Sequence, residues 1–244
     1  MFCPQCGNET TEGQVFCPAC GARIVPIVPV ESVRKRTHWE DRETAGFFSG
    51  MFATLKESLF NPGVFFKTMA VRGGLTDPLL YALFTCMAGI MTSYFWQTIV
   101  HDMAPGFMSS EMQEMHMFRN ISMAVVAVLI PFCIIAGVFI WTAFLHLLLM
   151  LVRGSQNGFE ATFRAVSYSL GAMVFMIVPI CGGFIALPWI LALTIIGLKF
   201  SHGTTGGKAS FVVLFPLLFC CGAVLLLAML IAGTMAVSLG GMAQ

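Results

Sequence analysis

No Asp, Glu, Lys or Arg occurs between Ile121 and Val152, between Ala165 and Leu198, or anywhere after Lys208. Apolar runs longer than about 18 residues are read as membrane spans, because about 20 helical residues cross the hydrocarbon layer. Composition agrees. The chain is 57% hydrophobic and only 10% charged, against roughly 25% charged in soluble domains. The apolar runs begin far from the first residue, and the opening residues are polar and rich in cysteine, so a cleaved secretory signal is not expected.

The runs predict an all-α membrane protein, a five-span helix bundle over residues 74–244. Expected spans are 79–100, 121–152, 165–181, 184–199 and 211–237. The run 165–198 is divided because Pro179, Cys181-Gly182-Gly183 and Pro188 interrupt it. The run 121–152 exceeds the minimum, and tilt absorbs the surplus; Pro131 is a candidate kink. Lys and Arg mark the cytoplasmic side of short loops. With the N-terminus inside, five spans leave Arg153, Arg164, Lys199 and Lys208 inside, and Arg119 alone of thirteen basic residues outside. One span across 165–198 would move Lys199 and Lys208 outward and weaken that bias. The expectation is a multi-pass protein of the cytoplasmic membrane, N-terminus cytosolic and C-terminus outside.

The first 24 residues are of another kind. MFCPQCGNETTEGQVFCPACG holds Cys3, Cys6, Cys17 and Cys20 as two copies of Cys-Pro-x-Cys-Gly. Two-residue gaps let each pair of thiolates reach one tetrahedral ion, with metal–sulfur distances near 2.3 Å. Gly7 and Gly21 free the backbone to turn at each knuckle. So short a segment cannot bury a core, and metal binding would supply its folding energy, roughly 10–16 kcal/mol for structural zinc. Four thiolates close the coordination sphere, so one structural zinc ion is expected. Iron in a rubredoxin-like site is the alternative metal. Redox dithiols lack a βαβ context here, and disulfides would require an extracellular end. A cytosolic end keeps thiols reduced. Glu9, Glu12 and Arg23 give residues 1–23 a net charge of −1, which argues against nucleic acid and for a protein partner. The module resembles the small zinc ribbons that precede many prokaryotic membrane proteins.

A linker is expected over 25–44, stiffened by Pro26 and Pro29, with the basic cluster Arg34-Lys35-Arg36 near its end. Residues 45–73 read as an amphipathic, interfacial segment. On a helical wheel Phe47, Phe48, Met51, Phe52, Leu55 and Leu59 share an arc of roughly 140°, with Ser49, Lys56 and Glu57 outside it. Asn61-Pro62-Gly63 stops the helix, and Phe65, Phe66 and Met69 form a second apolar face.

Little else carries chemistry. His146 is the one strongly ionisable residue inside a span, and a neutral, hydrogen-bonded packing role is expected for it. GTTGGK at 203–208 misses the phosphate-loop pattern, because His202 stands where its first glycine belongs. Tyr168, Ser167 and Ser169 are candidate interhelical hydrogen-bonding groups, and Trp96 and Gln97 candidate interfacial anchors. Cys86-x2-Gly89 suits close helix packing. His101, His116, Asp102, Glu111 and Glu114, with the methionines among them, read as an amphipathic outer loop rather than a metal site.

The pre-span NPGVFFKTM, FRAVSYSLGAMVF at the third span and ALPWILALTIIGLKFSHGTTGGKASF at the fourth and fifth resemble the Yip domain family, small multi-span proteins named for binding Ypt/Rab GTPases in eukaryotes. The resemblance covers roughly 45–235. The Asp-Leu-Tyr-Gly-Pro motif of eukaryotic members is not present; Tyr168-Ser169-Leu170-Gly171 stands nearest to it. The resemblance implies five spans, a cytosolic N-terminus and a scaffolding role without catalytic residues. The expected function is a membrane scaffold or adaptor, not an enzyme, whose ribbon meets a cytosolic or membrane protein and whose spans pack with lipid and possible further copies. A small transporter or lipid-handling protein is the alternative.

Overall fold

A computed structural model describes residues 3, 5–9, 16–22, 34–103, 123–219, 221, 222 and 229. The chain divides into two compact units, Met1–Arg34 and Lys35–Gln244. Among the described residues the second unit is helical, with no strand longer than an isolated bridge. Its helices are α1 (Arg42–Ala45), α2 (Phe47–Phe60), α3 (Pro62–Thr68), α4 (Thr76–Met103), α5 (Met123–Leu151), α6 (Gly158–Ser169), α7 (Gly182–His202) and α8 (Gly206–Phe219). A 3-10 segment, Leu170–Ile177, continues α6.

Three stretches are long and apolar enough to cross a membrane: Thr76–Ile99 in α4, Val128–Leu151 in α5 and Gly182–His202 in α7. The chain reverses between the 3-10 segment and α7 through a tight turn. There the Gly182 amide donates to the Val178 carbonyl at 3.1 Å, and Ile180 takes a left-handed φ of 64°. This is the interruption expected at Pro179 and Cys181–Gly183. The expected last span, 211–237, lies largely outside the described residues, as do most of the outer Met/His loop and the linker residues 25–33.

Two boundaries differ from expectation. The third helix begins at Gly158, seven residues earlier than expected, and runs straight through Arg164. Every residue from Ala161 to Ser169 is buried, so α6 is the central post of the bundle, packed against α4, α5 and α7. Arg164 is tolerated there because it is paired, as described below. The linker also ends early. From Lys35 the chain is docked: the Lys35 amide donates to Thr68 and the Ala70 amide donates to Lys35, at 2.7 and 2.8 Å. Trp39 is fully buried.

The apolar arc of α2 is divided between two surroundings. Met51, Leu55 and Leu59 pack towards the cluster formed by Trp39, Phe65, Phe66, Tyr81, Tyr168 and Leu193. Phe48 and Phe52 point away from it and are exposed. The small and polar Gly50, Thr54 and Ser58 are buried. Thr54 is buried because its hydroxyl accepts the Trp39 amide at 2.8 Å. A second cluster, around Leu145, Leu149, Ala165, Leu198 and Val212, joins α5, α6, α7 and α8.

The 3-10 segment packs closely on α4. Gly89 accepts it with no room to spare, since a Cβ there would stand 2.7 Å from the Met173 carbonyl. Gly171 faces Tyr81 equally tightly, and a Cβ would meet the phenol oxygen at 2.5 Å. Overpacking of this kind costs roughly 1–3 kcal/mol. Gly171→Ala should therefore lower the melting temperature of the purified protein. Adding Tyr81→Phe should restore most of the loss, because the clashing hydroxyl makes no hydrogen bond of good geometry among the described residues and its removal is cheap. A double variant no more stable than Gly171→Ala alone would reject this account.

Candidate functional site

The cysteine module forms two matching knuckles. The Gly7 amide donates to the Cys3 carbonyl and the Gly21 amide to the Cys17 carbonyl, both at 2.9 Å. Gly7 and Gly21 sit at φ 72° and 70°, a left-handed turn that glycine enters without penalty. The turns bring all four sulfurs within 4.8 Å of one another. Cys3 and Cys20 Sγ are 3.7 Å apart, Cys6 and Cys17 Sγ 3.6 Å. These separations exceed by far the about 2.05 Å of a disulfide. They match the edge of a tetrahedron with metal–sulfur distances of about 2.3 Å, which is about 3.8 Å.

The protons on these sulfurs compete. The backbone amides of Gln5 and Cys6 hold the Cys3 thiol down at about 7, and the Cys20 amide lowers Cys17. The Asn8 amide lowers Cys6 too, but neighbouring Cys20, desolvation and Cys17 outweigh it, and Cys6 is pushed up to about 12. A metal takes the thiolate form of its ligands, so loading this cluster would release protons. The donor set, its spacing and its electrostatics fit a closed, thiolate-rich metal centre.

A second constellation lies in the helical unit, and of its members only Tyr168 is a candidate from sequence. Arg164 on α6 is wholly buried. Its Nε donates to the Ala70 carbonyl at 2.6 Å, Nη1 to the Gly74 carbonyl at 3.2 Å, and Nη2 to Glu40 Oε1. Tyr168, one turn further along α6, donates to the same Glu40 oxygen at 2.5 Å. Thr37 Oγ1 lies 3.0 Å from the Tyr168 hydroxyl, and since that hydroxyl donates to Glu40, Thr37 donates to it. The Gly73 and Gly74 amides donate to Glu160 at 2.6 and 2.7 Å. Trp39 Nε1 donates to the Asp77 carbonyl at 2.7 Å, and Arg42 pairs with Asp77 at 2.8 Å while covering the Trp39 ring. The strap 35–42 is thus fastened to the start of α4 and to Arg164 and Tyr168 of α6 by buried and half-buried, charge-assisted bonds.

The other sequence candidates fall into place around these. His146 Nδ1 lies 2.7 Å from the Thr162 hydroxyl, which lies 2.9 Å from His202 Nε2. His202 Nδ1 accepts the Gln156 and Asn157 amides at 3.2 and 3.3 Å. An acceptor at Nδ1 carries no proton, so His202 donates through Nε2 to Thr162, and Thr162 donates to His146. The chain of bonds ties α5, α6 and α7 together. GTTGGK is a junction between helices: Gly203 caps α7 at φ 61°, and Thr205 Oγ1 accepts the Lys208 amide. Lys208 Nζ donates to the Arg153 carbonyl at 3.1 Å. Trp96 Nε1 donates to the Ile177 carbonyl at 3.0 Å, beside an open cavity of about 330 Å³ that Ser93, Gln97, Met176 and Ile180 help to line. Ser169 bonds its own helix at Ala165, and Ser167 makes no side-chain hydrogen bond among the described residues.

With the geometry in hand, comparison with known proteins gives two matches. A family model described as the Yip1 domain matches residues 56–237, and one described as a zinc-ribbon domain matches residues 2–24. No curated protein and no solved structure matches the chain.

Proposed function

We propose, on the premise that this chain belongs to the Yip1 domain family, that it is a non-enzymatic membrane scaffold or adaptor with a zinc-loaded ribbon for recruiting a protein partner. That it is a membrane protein with an N-terminal zinc-ribbon domain is the established part. The rest is our reading: Cys3, Cys6, Cys17 and Cys20 hold one structural zinc; 1–24 is the ribbon and 25–34 its tether; and 74–244 crosses the cytoplasmic membrane five times, N-terminus in the cytosol and C-terminus outside.

The buried Glu40–Arg164 pair carries the reading. It fastens the strap to the middle of α6, level with the Ala70 and Gly74 carbonyls that precede α4, and we take the strap to share a membrane face with Arg153, Lys208 and their loops. Residues 24–34 contain no run long enough to cross back. The ribbon then emerges on the basic face, which is the cytoplasmic one, where thiolates stay available to metal. Five crossings are supported by reach. Twelve α-helical and eight 3-10 residues, at about 1.5 and 2.0 Å each, span about 34 Å in all and about 24 Å beyond the charged residue Arg164, so the turn that follows is needed to complete a layer of about 30 Å. With that turn, α6 and its 3-10 extension can serve as the third crossing, although neither part is long enough alone.

Affinity purification of the full-length protein from its own membranes tests recruitment. Wild type should bring down cytosolic or membrane proteins that Cys3→Ser/Cys6→Ser loses. The same set recovered by both, with metal gone from the variant, would reject the recruiting role.

A further inference from the structure

The outward row of α2 contradicts what water would select. Phe48, Phe52 and Phe60 are 73%, 65% and 67% exposed, while Gly50, Thr54 and Ser58 are buried. Three aromatic rings on one row form the kind of patch that soluble surfaces avoid. Lys56 is exposed in the same row, at the i+4 position between Phe52 and Phe60. The row is also continuous with a lipid-facing surface. Phe47 at the start of α2 meets Phe84 edge to face at 5.4 Å, and Phe84 is 42% exposed on the candidate span α4. Phe84 lies seven residues beyond Asp77, about 10 Å along the helix. Asp77 belongs to the charged layer with Arg42. The start of α2 therefore lies deeper than that layer, at the depth reached by in-plane amphipathic helices, about 5–10 Å into the headgroup–acyl boundary.

We infer that the row Phe48–Phe52–Lys56–Phe60 is a lipid-docking surface: α2 lies in the boundary of the bilayer, its rings among the acyl chains and Lys56 extended between them to an anionic headgroup. The lysine stem covers apolar surface while its ammonium reaches the phosphate layer. The occupant is the bilayer itself. A second copy of the chain or another protein would need a face that buries both the rings and a charge, and Lys56 at its centre would be desolvated without compensation.

The test is photo-crosslinking of the full-length protein in vesicles of phosphatidylethanolamine and phosphatidylglycerol in equal parts. p-Benzoylphenylalanine is placed at Phe48, Phe52 or Phe60, a nearly shape-preserving change at exposed positions, so failure of one variant leaves two. Each should gain the mass of one phospholipid. The same group at buried Thr54 should react within the chain and gain none. A dimer band from the three outward positions, or no phospholipid adduct at any of them, would overturn the proposal. Lys56→Glu in the Phe52 variant should lower the share of phosphatidylglycerol among the adducts severalfold; an unchanged share would overturn the headgroup contact.

Discussion

Arg164→Ala is expected to cost about 3–5 kcal/mol of stability, the usual consequence of orphaning one member of a buried ion pair. Glu40 would lose its guanidinium, and Ala70 and Gly74 would lose the donors to their carbonyls. Glu40→Ala should cost about as much, because a wholly buried guanidinium would then lack its carboxylate and Tyr168 its acceptor. The double variant should cost clearly less than the two singles added together, since partners in one network do not contribute independently. Glu40→Gln keeps an acceptor and should be the mildest of the four. Thermal unfolding of purified protein in detergent reads all of them. Strict additivity between positions 40 and 164 would show that the strap is not held by this pair. The effect should appear in membranes as well: with Glu40→Ala, a protease given access to both faces should cut between Lys35 and Gly46, where the wild type resists.

Metal removal should act on the other unit alone. If roughly 10–16 kcal/mol of ribbon folding comes from the ion, a strong chelator should unfold residues 1–24. Elemental analysis should find one zinc per chain in the wild type and none in Cys3→Ser/Cys6→Ser. The helical unit has its own buried clusters and forms a separate compact unit from Lys35 onward, so its melting temperature should move by less than a degree or two, on the order of the effect of a distant surface change. Loss of the helical melting transition with the metal would refute the independence of the two units. Visible absorption from an iron–thiolate centre, in place of zinc, would correct the identity of the ion but not its four ligands.

The broad architecture was legible because its signals are local. An uncharged run of thirty residues has few ways to exist outside a membrane, and Cys-Pro-x-Cys-Gly written twice presents its own ligand geometry. The turn at Pro179–Gly183 was equally local. What sequence could not reveal depends on a partner far along the chain. Glu40 reads as one more charge in a polar linker, and Arg164 as a loop residue bounding a span. Each is buried only because the other neutralises it, 124 residues away. The period of α2 was read correctly, yet its wheel cannot tell which part of an apolar arc meets protein and which meets lipid. Nor can a wheel show that Trp39 brings an amide to the hydroxyl of buried Thr54. Tyr168 was singled out as an interhelical hydrogen-bonding group; its bond goes instead to the strap.

The separation between Glu40 and Arg164 also sets an order on biogenesis. Ribosomes add about 5–20 residues per second, so Arg164 leaves the tunnel on the order of ten seconds after Glu40. Throughout that interval Glu40 lacks the guanidinium that neutralises it, although the partners of Trp39 between Phe47 and Phe84 have already been made. The carboxylate synthesised early is buried only when α6 arrives, so its pairing reports that Arg164 and Tyr168 have reached their places.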